Sequence, residues 1–383
     1  MQPVRIFGTL ILLGLAGACQ EDTPSPAAPE PDPALTITPA AALAFRQINA
    51  SCGVTTDNLA YCWGDNTSGQ VGDGTTGIPE TPYLRPTRVV GGLSFRQISP
   101  ASGNTCAVTT ADQVYCWGYS WVDEQSHPTP EPLPGGIRFQ RLALGGGPCG
   151  LGVDDRAYCW GWNAYGQVGD RTNIDRAGPV AVADDRRFRQ ISATGLHSCA
   201  INFEGVLFCW GWNESGELGD GTRINRRRPT RVQAGELRFR PVSTGYQYTC
   251  AVTTTDVAYC WGLNEYAKLG NGTWHLSIDT PRSKVKGGIR FRSVDAGNWH
   301  TCGIATNGAA YCWGQLSGIS STRFPVPVPG GLVFRQLNAN GEHTCGVTTA
   351  YVGYCWGLNF GGQLGDGTTT YRATPVPVAS PAE

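Results

Sequence analysis

The sequence predicts an all-β fold, a seven-bladed β-propeller, on three observations: its composition, a unit repeated seven times and evenly spaced cysteines. Of 383 residues, 52 are Gly and 26 are Pro, whereas only 15% are charged. Such a chain is rich in turns and poor in long helices, and its 40% of hydrophobic residues is enough for a packed core. The balance of 29 basic and 30 acidic residues excludes a broadly basic nucleic-acid binder, so we expect no nucleic-acid partner.

The N-terminal segment predicts export and a lipid anchor. The apolar run from Ile6 to Leu15 is too short to span a bilayer and is typical of a secretory signal. Small residues then lead into Cys19, and this stretch resembles the lipobox of bacterial lipoproteins, in which the Cys is acylated. An ordinary signal peptide with an incidental Cys is the alternative. We expect residues 1–18 to be the signal peptide and residues 19–42 a Pro/Ala-rich tether, and we expect an outer-membrane lipoprotein on the periplasmic or cell-surface side.

The rest of the chain is one unit repeated seven times. Tyr-Cys-Trp-Gly, or a near copy, recurs about every fifty residues, at Trp63, Trp117, Trp160, Trp210, Trp261, Trp313 and Trp356. A Phe precedes each of these, and six of the seven Phe residues are followed by an Arg, for which we expect an architectural role. Four short strand-like pieces per unit predict one blade each over residues 43–378, with 379–383 as a tail. We expect the first strand, near Phe45, to lie against the last one and close the ring.

These motifs resemble a known repeat. Gly-x-x-His-Thr-Cys, Tyr-Cys-Trp-Gly-x-Asn and Gly-Gln-Leu-Gly-Asp-Gly-Thr are similar to the repeat of the RCC1 (regulator of chromosome condensation) family, which implies a seven-bladed propeller. The founding activity of that family, nucleotide exchange on a small GTPase with chromatin binding, is disfavoured because an exported protein does not meet a nuclear GTPase. The secreted bacterial β-lactamase inhibitor proteins of the same propeller class are a nearer resemblance, which implies that one loop face clamps a protein.

Cysteine spacing predicts one disulfide in each blade. Apart from Cys19, the cysteines form seven pairs ten residues apart: Cys52 and Cys62, Cys106 and Cys116, Cys149 and Cys159, Cys199 and Cys209, Cys250 and Cys260, Cys302 and Cys312, Cys345 and Cys355. In an antiparallel hairpin, Cys302 then lies opposite Cys312 and leaves Thr306-Asn307-Gly308 as a three-residue turn. Reduced, buried pairs are the alternative. Two Cys across a hairpin offer no four-ligand cluster, so we expect no metal.

Alternating chain direction separates the connections of each blade into two faces. We define face one by the Gly-x-x-His turns and the loops after Trp-Gly, and face two by the hairpin tips and the Gly-Gly links. Unrepeated aromatic residues and all five His fall on face one, whereas face two carries mostly Thr, Asp, Gly and Ala. The candidate binding residues are Trp121, Trp162, Trp212, Tyr246, Tyr248, Trp274, Trp299 and His300. Packing between blades is the alternative for Trp162, Trp212 and His300.

The function classes follow from what the repeats contain. The His residues belong to different blades without a Ser or Cys partner, and one Asp per glycine-rich loop is too few oxygens for calcium. We therefore expect a non-enzymatic, monomeric module without cofactors that binds an unidentified protein through face one and the membrane through its lipid. A glycan-binding propeller is the alternative, and nucleotide exchange or an unrecognised enzyme is less expected.

Overall fold

The computed structural model describes residues 43–77, 82–101, 103–143, 148–194, 196–274, 277–316 and 321–381. These residues form strands β1 to β27 in seven antiparallel sheets and one 3-10 turn, Glu265–Ala267. The prediction of an all-β propeller with seven blades is confirmed. Cys19, the signal segment and the whole tether lie outside the described residues. Within the described ranges, no helix is long and apolar enough to cross a membrane.

Each blade is built from consecutive strands, numbered from the central channel outwards. The innermost strands all begin at the repeated Phe and are β1 Phe45–Asn49, β5 Phe95–Pro100, β9 Phe139–Ala143, β13 Phe188–Thr194, β17 Phe239–Gly245, β20 Phe291–Ala296 and β24 Phe334–Ala339. The second strands carry the first Cys of each pair and are β2 Cys52–Thr55, β6 Asn104–Thr109, β10 Cys149–Gly152, β14 His197–Asn202, β18 Tyr248–Thr253, β21 His300–Ala305 and β25 His343–Thr348.

The outer half of each blade carries the second Cys and the proline-rich edge. The third strands contain the Cys-Trp pair and are β3 Ala60–Gly64, β7 Val114–Ser120, β11 Ala157–Gly161, β15 Leu207–Gly211, β19 Ala258–Gly262, β22 Ala310–Gly314 and β26 Gly353–Gly357. The outermost strands are β4 Tyr83–Arg88, β8 Gln125–Pro132, β12 Arg176–Ala181, β16 Arg226–Arg231, β23 Thr322–Pro327 and β27 Arg372–Pro377. Proline on these outer edges blocks pairing with a further strand.

Blade 5 differs from the prediction because its sheet has three strands. The segment along β19 makes only two isolated bridges, Tyr259 with Lys284 and Gly262 with Ile278. In the other blades two residues lie between the Pro and an aliphatic residue whose N–H bonds the start of the third strand, as between Pro179 and Val182 in blade 3. Blade 5 inserts one extra residue between Pro281 and Val285, although Val285 still donates to the Ala258 carbonyl. One added residue shifts the pairing register, and the ladder is lost between the two ends.

The disulfide prediction is confirmed in all seven blades. Each Cys on a second strand lies opposite its partner on the third strand, with Cα atoms 4.0 to 4.1 Å apart. The predicted left-handed turn position is also found: Gly308 has φ 88°, and Tyr351, which departs from the Gly/Asn/Asp preference, still has φ 65°. So many disulfides indicate an oxidising environment, and hence an exported protein.

Neighbouring blades share one core. In one junction, Val54 and Cys62 of blade 1 pack in a single cluster with Phe95, Ile98 and Trp117 of blade 2. Burying each such Phe or Trp contributes on the order of 2–3 kcal/mol. No unit covers its own apolar face, so each blade buries that face against a neighbouring blade.

The repeated Phe-Arg-Gln sequence ties adjacent blades together near the channel. Gln47 exchanges two hydrogen bonds with the backbone of Ile98 in the next blade, at 3.0 and 3.1 Å. Gln336 of blade 7 makes the same pair of bonds to Ile48, at 2.9 and 3.2 Å. The ring is therefore closed by inner strands. The expectation that β1 lies against the last strand is wrong, because β27 pairs with β26 at the outer edge.

The repeated Arg has contacts that fit the expected architectural role. Arg189 donates to the carbonyl of Phe239, and Arg292 to that of Phe334, in each case one blade further on. Arg96 bonds Asp112 at 2.7 Å in its own hairpin turn. These guanidinium groups hold the blades together on face two.

Candidate functional site

The glycine-rich loops of face one are latches between blades. In blade 1, the Gln70 carbonyl accepts the Nε1–H of Trp117 in blade 2 at 2.9 Å, and Val71 packs against the same ring. The Asn66 side-chain oxygen accepts the Val71 N–H at 3.0 Å and so fixes the conformation of the loop. Gly72 is required here because a Cβ would lie 2.6 Å from Trp117 Nε1. The loops are thus rigid supports, and the latched Trp residues are packing residues.

Face one carries a row of stacked aromatic rings, which we call the aromatic row: Trp162, Tyr165 and Trp212. The Trp162 and Tyr165 rings meet edge to face at 5.1 Å, and the Tyr165 and Trp212 rings at 4.1 Å. Trp162 is 43% exposed, whereas Trp212 is half-buried. Packing between blades and exposure for binding are therefore both found here, because these rings pack across a blade junction while Trp162 remains exposed to solvent.

A second cluster on face one surrounds Lys268, which the sequence analysis missed. The Lys268 ammonium lies 4.8 Å from the Tyr248 ring centre and 5.7 Å from that of Tyr246, and it donates to the Tyr246 carbonyl at 2.8 Å. The Trp299 ring packs against the rings of Tyr246 and Tyr266. Burial lowers the pKa of Lys268 to about 8. The available signal was the replacement by Lys of the Gln found at this position in three of the other loops.

Two predicted binding residues are not on the surface. Tyr248 is fully buried, and its hydroxyl bonds the His300 carbonyl and the Thr301 hydroxyl, each at 2.9 Å. His300 is buried too, and its Nε2 lies 2.7 Å from the Thr344 hydroxyl of blade 7. The prediction that these two side chains line the binding face is wrong, because both are used in the junction with the next blade.

The remaining histidines divide in the same way. His197 and His343 are buried, and His197 bonds Thr249 of the next blade at 2.8 Å. Burial lowers the pKa of His300 and of His343 to about 4. His127 is only half-buried, and His275 lies outside the described residues.

Trp121, Tyr246 and Trp274 are exposed on face one, as expected. Their exposed fractions lie between 36% and 40%. The Arg323 guanidinium of blade 6 lies over the Trp274 ring, with its carbon 5.6 Å from the ring centre. Phe360, in the corresponding loop of blade 7, is 74% exposed. Every exposed Trp of the described residues thus lies on face one.

Face two is less polar than expected. Phe203, Tyr351 and Val153 are exposed at its hairpin tips, and Val90 and Val333 at its blade links. The description of face two as mostly Thr, Asp, Gly and Ala is therefore wrong in part. These residues are scattered one per blade, which is ordinary for a protein surface.

The central channel is polar and opens on face one. It encloses about 850 Å³, and residues of the inner strands, Asn49, Ser99, Ser192, Thr244 and Asp295 among them, line it. Burial raises the pKa of Asp295 to about 7. Its carboxylate accepts the Ala339 N–H at 2.8 Å and the Asn338 side-chain N–H at 3.5 Å, and among the described residues no His, Ser or Cys bonds it. The described residues contain no group of three or more acidic, His or Cys side chains placed to hold a metal.

A separate cavity lies between blades 2 and 3 at the rim of face one. It encloses about 500 Å³, and its wall includes five aromatic residues: Trp117, Tyr119, Trp121, Trp160 and Trp162. Since Trp162 belongs to both, the cavity continues into the aromatic row.

Sequence comparisons identify the repeat. Two family models, both described as Regulator of chromosome condensation (RCC1) repeat, match this chain: one at residues 154–201 and 204–252, the other at 49–70, 188–217, 242–267 and 291–315. Ultraviolet-B receptor UVR8 of Arabidopsis thaliana is 26% identical over 267 residues, which is 67% of this chain and 60% of that protein. RCC1 domain-containing protein 1 of Mus musculus is 28% identical over 81 residues, 21% of this chain and 22% of that protein. The chain thus spans between about a fifth and three fifths of these curated relatives.

Solved structures show the same fold. Human WBSCR16 superposes with a TM-score of 0.76 at 19% identity, over 84% of this chain and 94% of that one. Prp20p of Saccharomyces cerevisiae gives a TM-score of 0.66 at 19% identity, over 77% and 79%. The matches to the family models show that this chain carries RCC1 repeats, and these repeats form a seven-bladed propeller.

Proposed function

We propose that this propeller is a non-enzymatic binding module that recognises another protein through face one. The observation that carries the proposal is the concentration of exposed Trp on that face, at Trp121, Trp162 and Trp274. Large aromatic side chains on fixed loops are typical anchors of protein interfaces. An enzymatic role has less support, because the Asp295 carboxylate in the channel has no bonded nucleophile or base among the described residues.

Rigid loops support tight recognition. Five latches hold face-one loops against the next blade, and a disulfide staples each blade beneath them. A surface ordered before it meets its partner loses little conformational entropy on binding. The solved relative Prp20p is described by its binding to Gsp1p and histones, so protein binding is within the reach of this fold.

The N-terminal sequence and the disulfides support a proposal for the location of this protein. We propose that Cys19 carries the lipid and that residues 19–42 hold the propeller away from a bacterial outer membrane, on its periplasmic or outer side. The partner is then an envelope or extracellular protein rather than a nuclear GTPase or chromatin.

A glycan is the second candidate ligand, because exposed Trp and Tyr rings also stack on sugars. Protease treatment of the captured material separates the two: a protein partner is lost, whereas a glycan is retained.

The test uses the chain from residue 20 onwards, immobilised in place of its lipid anchor, with envelope extract as the source of partners. The face-one variant is Trp162→Ser with Tyr246→Ser, and the matched control is Phe203→Ser with Val153→Ser on face two. All four side chains are exposed, so both variants should fold. We expect the face-one variant to lose the captured protein and the control to keep it. Equal capture by both variants would refute the assignment to face one.

A further inference from the structure

Five blade junctions show what the Trp of the following blade requires. In each, a loop carbonyl accepts the Trp Nε1–H at 2.9 to 3.0 Å, and the next loop residue is a fully buried Val or Leu. The aliphatic residues are Val71, Val168, Leu218, Leu269 and Leu364. A junction is thus completed by two consecutive residues at the centre of a hydrogen-bonded turn: the first supplies a carbonyl, and the second supplies a branched aliphatic side chain.

The junction between blades 2 and 3 lacks both elements. Unit two has no Gly-Gln-x-Gly-Asp segment. Its strands β7 and β8 pair instead as a direct hairpin, up to Ser120 opposite Gln125. Trp160, the equivalent of the latched Trp residues, lines the cavity of about 500 Å³, and no acceptor bonds its Nε1 within the described residues. The cavity therefore lies where a loop closes the other junctions.

The rim of the cavity adds a charge preference. In the β7–β8 ladder His127 lies opposite Gly118. Arg176 occupies the equivalent position in blade 3, where it lies opposite Gly161. His127 lies 3.0 Å from Glu131 and 2.9 Å from Asp123, and these carboxylates raise its pKa. Two carboxylates thus face one imidazole, and Glu124 beside them is exposed as well. The rim is acidic and favours a basic residue on an incoming chain.

We propose that the cavity between blades 2 and 3 binds a segment of the partner protein that supplies the missing latch: a backbone carbonyl followed by Leu or Val, next to a basic residue. This inference rests on the proposed function and names what face one recognises. The five internal loops are its template, and its continuity with the aromatic row at Trp162 places it within the same face.

The direct test is a titration of the whole propeller, disulfides intact, with the peptide acetyl-Gly-Gln-Leu-Gly-Lys-Gly-amide. Indole Nε1–H signals are followed by NMR, and Trp160→Phe identifies the signal of Trp160. We expect that signal to move downfield as it gains an acceptor, whereas the signals of the latched Trp210 and Trp261, which do not line the cavity, stay in place. Replacing the peptide Leu by Ser should weaken binding at least tenfold, and replacing its Lys by Asp about threefold.

A protein variant keeps the test independent of any damage to the core. Ala177 is exposed and lines the cavity, so Ala177→Trp should block the cavity without disturbing packing and reduce binding at least tenfold. The matched control is Ala164→Trp on an exposed loop site of the same blade that does not line the cavity. An unmoved Trp160 signal at millimolar peptide, or equal binding of the Leu and Ser peptides, would overturn the proposal.

Failure of this inference is distinguishable from failure of the proposed function. If Ala177→Trp still captures a protein that Trp162→Ser with Tyr246→Ser loses, face one binds elsewhere and only the cavity assignment is wrong. If the peptide binds at Trp160 but neither face captures a protein, the cavity assignment stands and the proposed partner class is wrong.

Discussion

Glu217→Gln should stabilise the propeller, and the gain should grow as the pH rises. Glu217 occupies the loop position that is Gln in blades 1, 3 and 7. Its Oε2 accepts the Ser215 N–H at 2.8 Å, the bond that Gln167 Oε1 makes to the Tyr165 N–H at 3.0 Å. Its Oε1 is buried, with no hydrogen-bond partner among the described residues. A glutamine keeps the loop bond and removes the carboxyl group.

The magnitude follows from linkage. Burial raises the pKa of Glu217 to about 8 from an ordinary value of 4.5. The folded protein therefore holds the proton more tightly than the unfolded chain, and stability falls as the pH rises from 4.5 to 8. Each pH unit in that window costs about 1.4 kcal/mol, so wild type should lose about 3 kcal/mol between pH 5 and 7.5 relative to the variant. Lys268, whose pKa burial lowers to about 8, acts mainly above this window.

The assay is urea unfolding, with disulfides intact, of wild type and variant at several pH values from 5 to 7.5. Glu214→Gln is the control, because it removes the same charge from an exposed position three residues away. We expect the free energies of unfolding of Glu217→Gln and wild type to diverge with pH, and those of Glu214→Gln and wild type to stay parallel. A gap that does not change with pH, or one that favours wild type at pH 7.5, would show that Glu217 is ionised and stabilised in the fold.

Three other measurements test the architecture. Trp117→Phe should cost about 1–2 kcal/mol more than Trp160→Phe in urea unfolding, because only the former leaves a buried latch carbonyl without its donor; equal costs would contradict the latch. Replacing Cys302 and Cys312 together by Ala should lower the free energy of unfolding by roughly 2.5–3 kcal/mol, and a loss below about 1 kcal/mol would mean that the hairpin persists in the unfolded chain. Burial lowers the pKa of His300 to about 4, so stability should fall as the pH drops from 6.5 towards 4, by about 2 kcal/mol at pH 5 for this residue; His300→Gln should remove that part, and an unchanged pH profile would show that His300 is not buried in neutral form.

Local features of the fold were predictable because they repeat with a constant spacing. The ten-residue separation of Cys302 and Cys312 matches a hairpin with a three-residue turn, so spacing and turn chemistry specify one register. The absence of the glycine-rich loop from unit two was also visible in the sequence. The structural consequence of this absence was not visible in the sequence, because the loop contacts the next blade, some 45 residues further along the chain.

The aromatic site was predictable only in part. Trp162 and Tyr246 lie on face one by strand direction alone, and the structure exposes both. Strand direction assigns Tyr248 and His300 to face one as well. Their side chains nevertheless point into the next blade, where they form hydrogen bonds with the hydroxyl groups of Thr301 and Thr344. Strand direction assigns a residue to a face, but burial depends on the neighbour that packs over it.

The sequence by itself determined the number of blades, the disulfide register and the assignment of connections to two faces, because each depends on contacts within one repeat. Only the tertiary structure decided how the ring closes, which aromatic residues meet solvent, and that an open cavity remains beside Trp160. These properties arise between blades, where residues far apart in sequence share one core, and no spacing within a repeat contains that information.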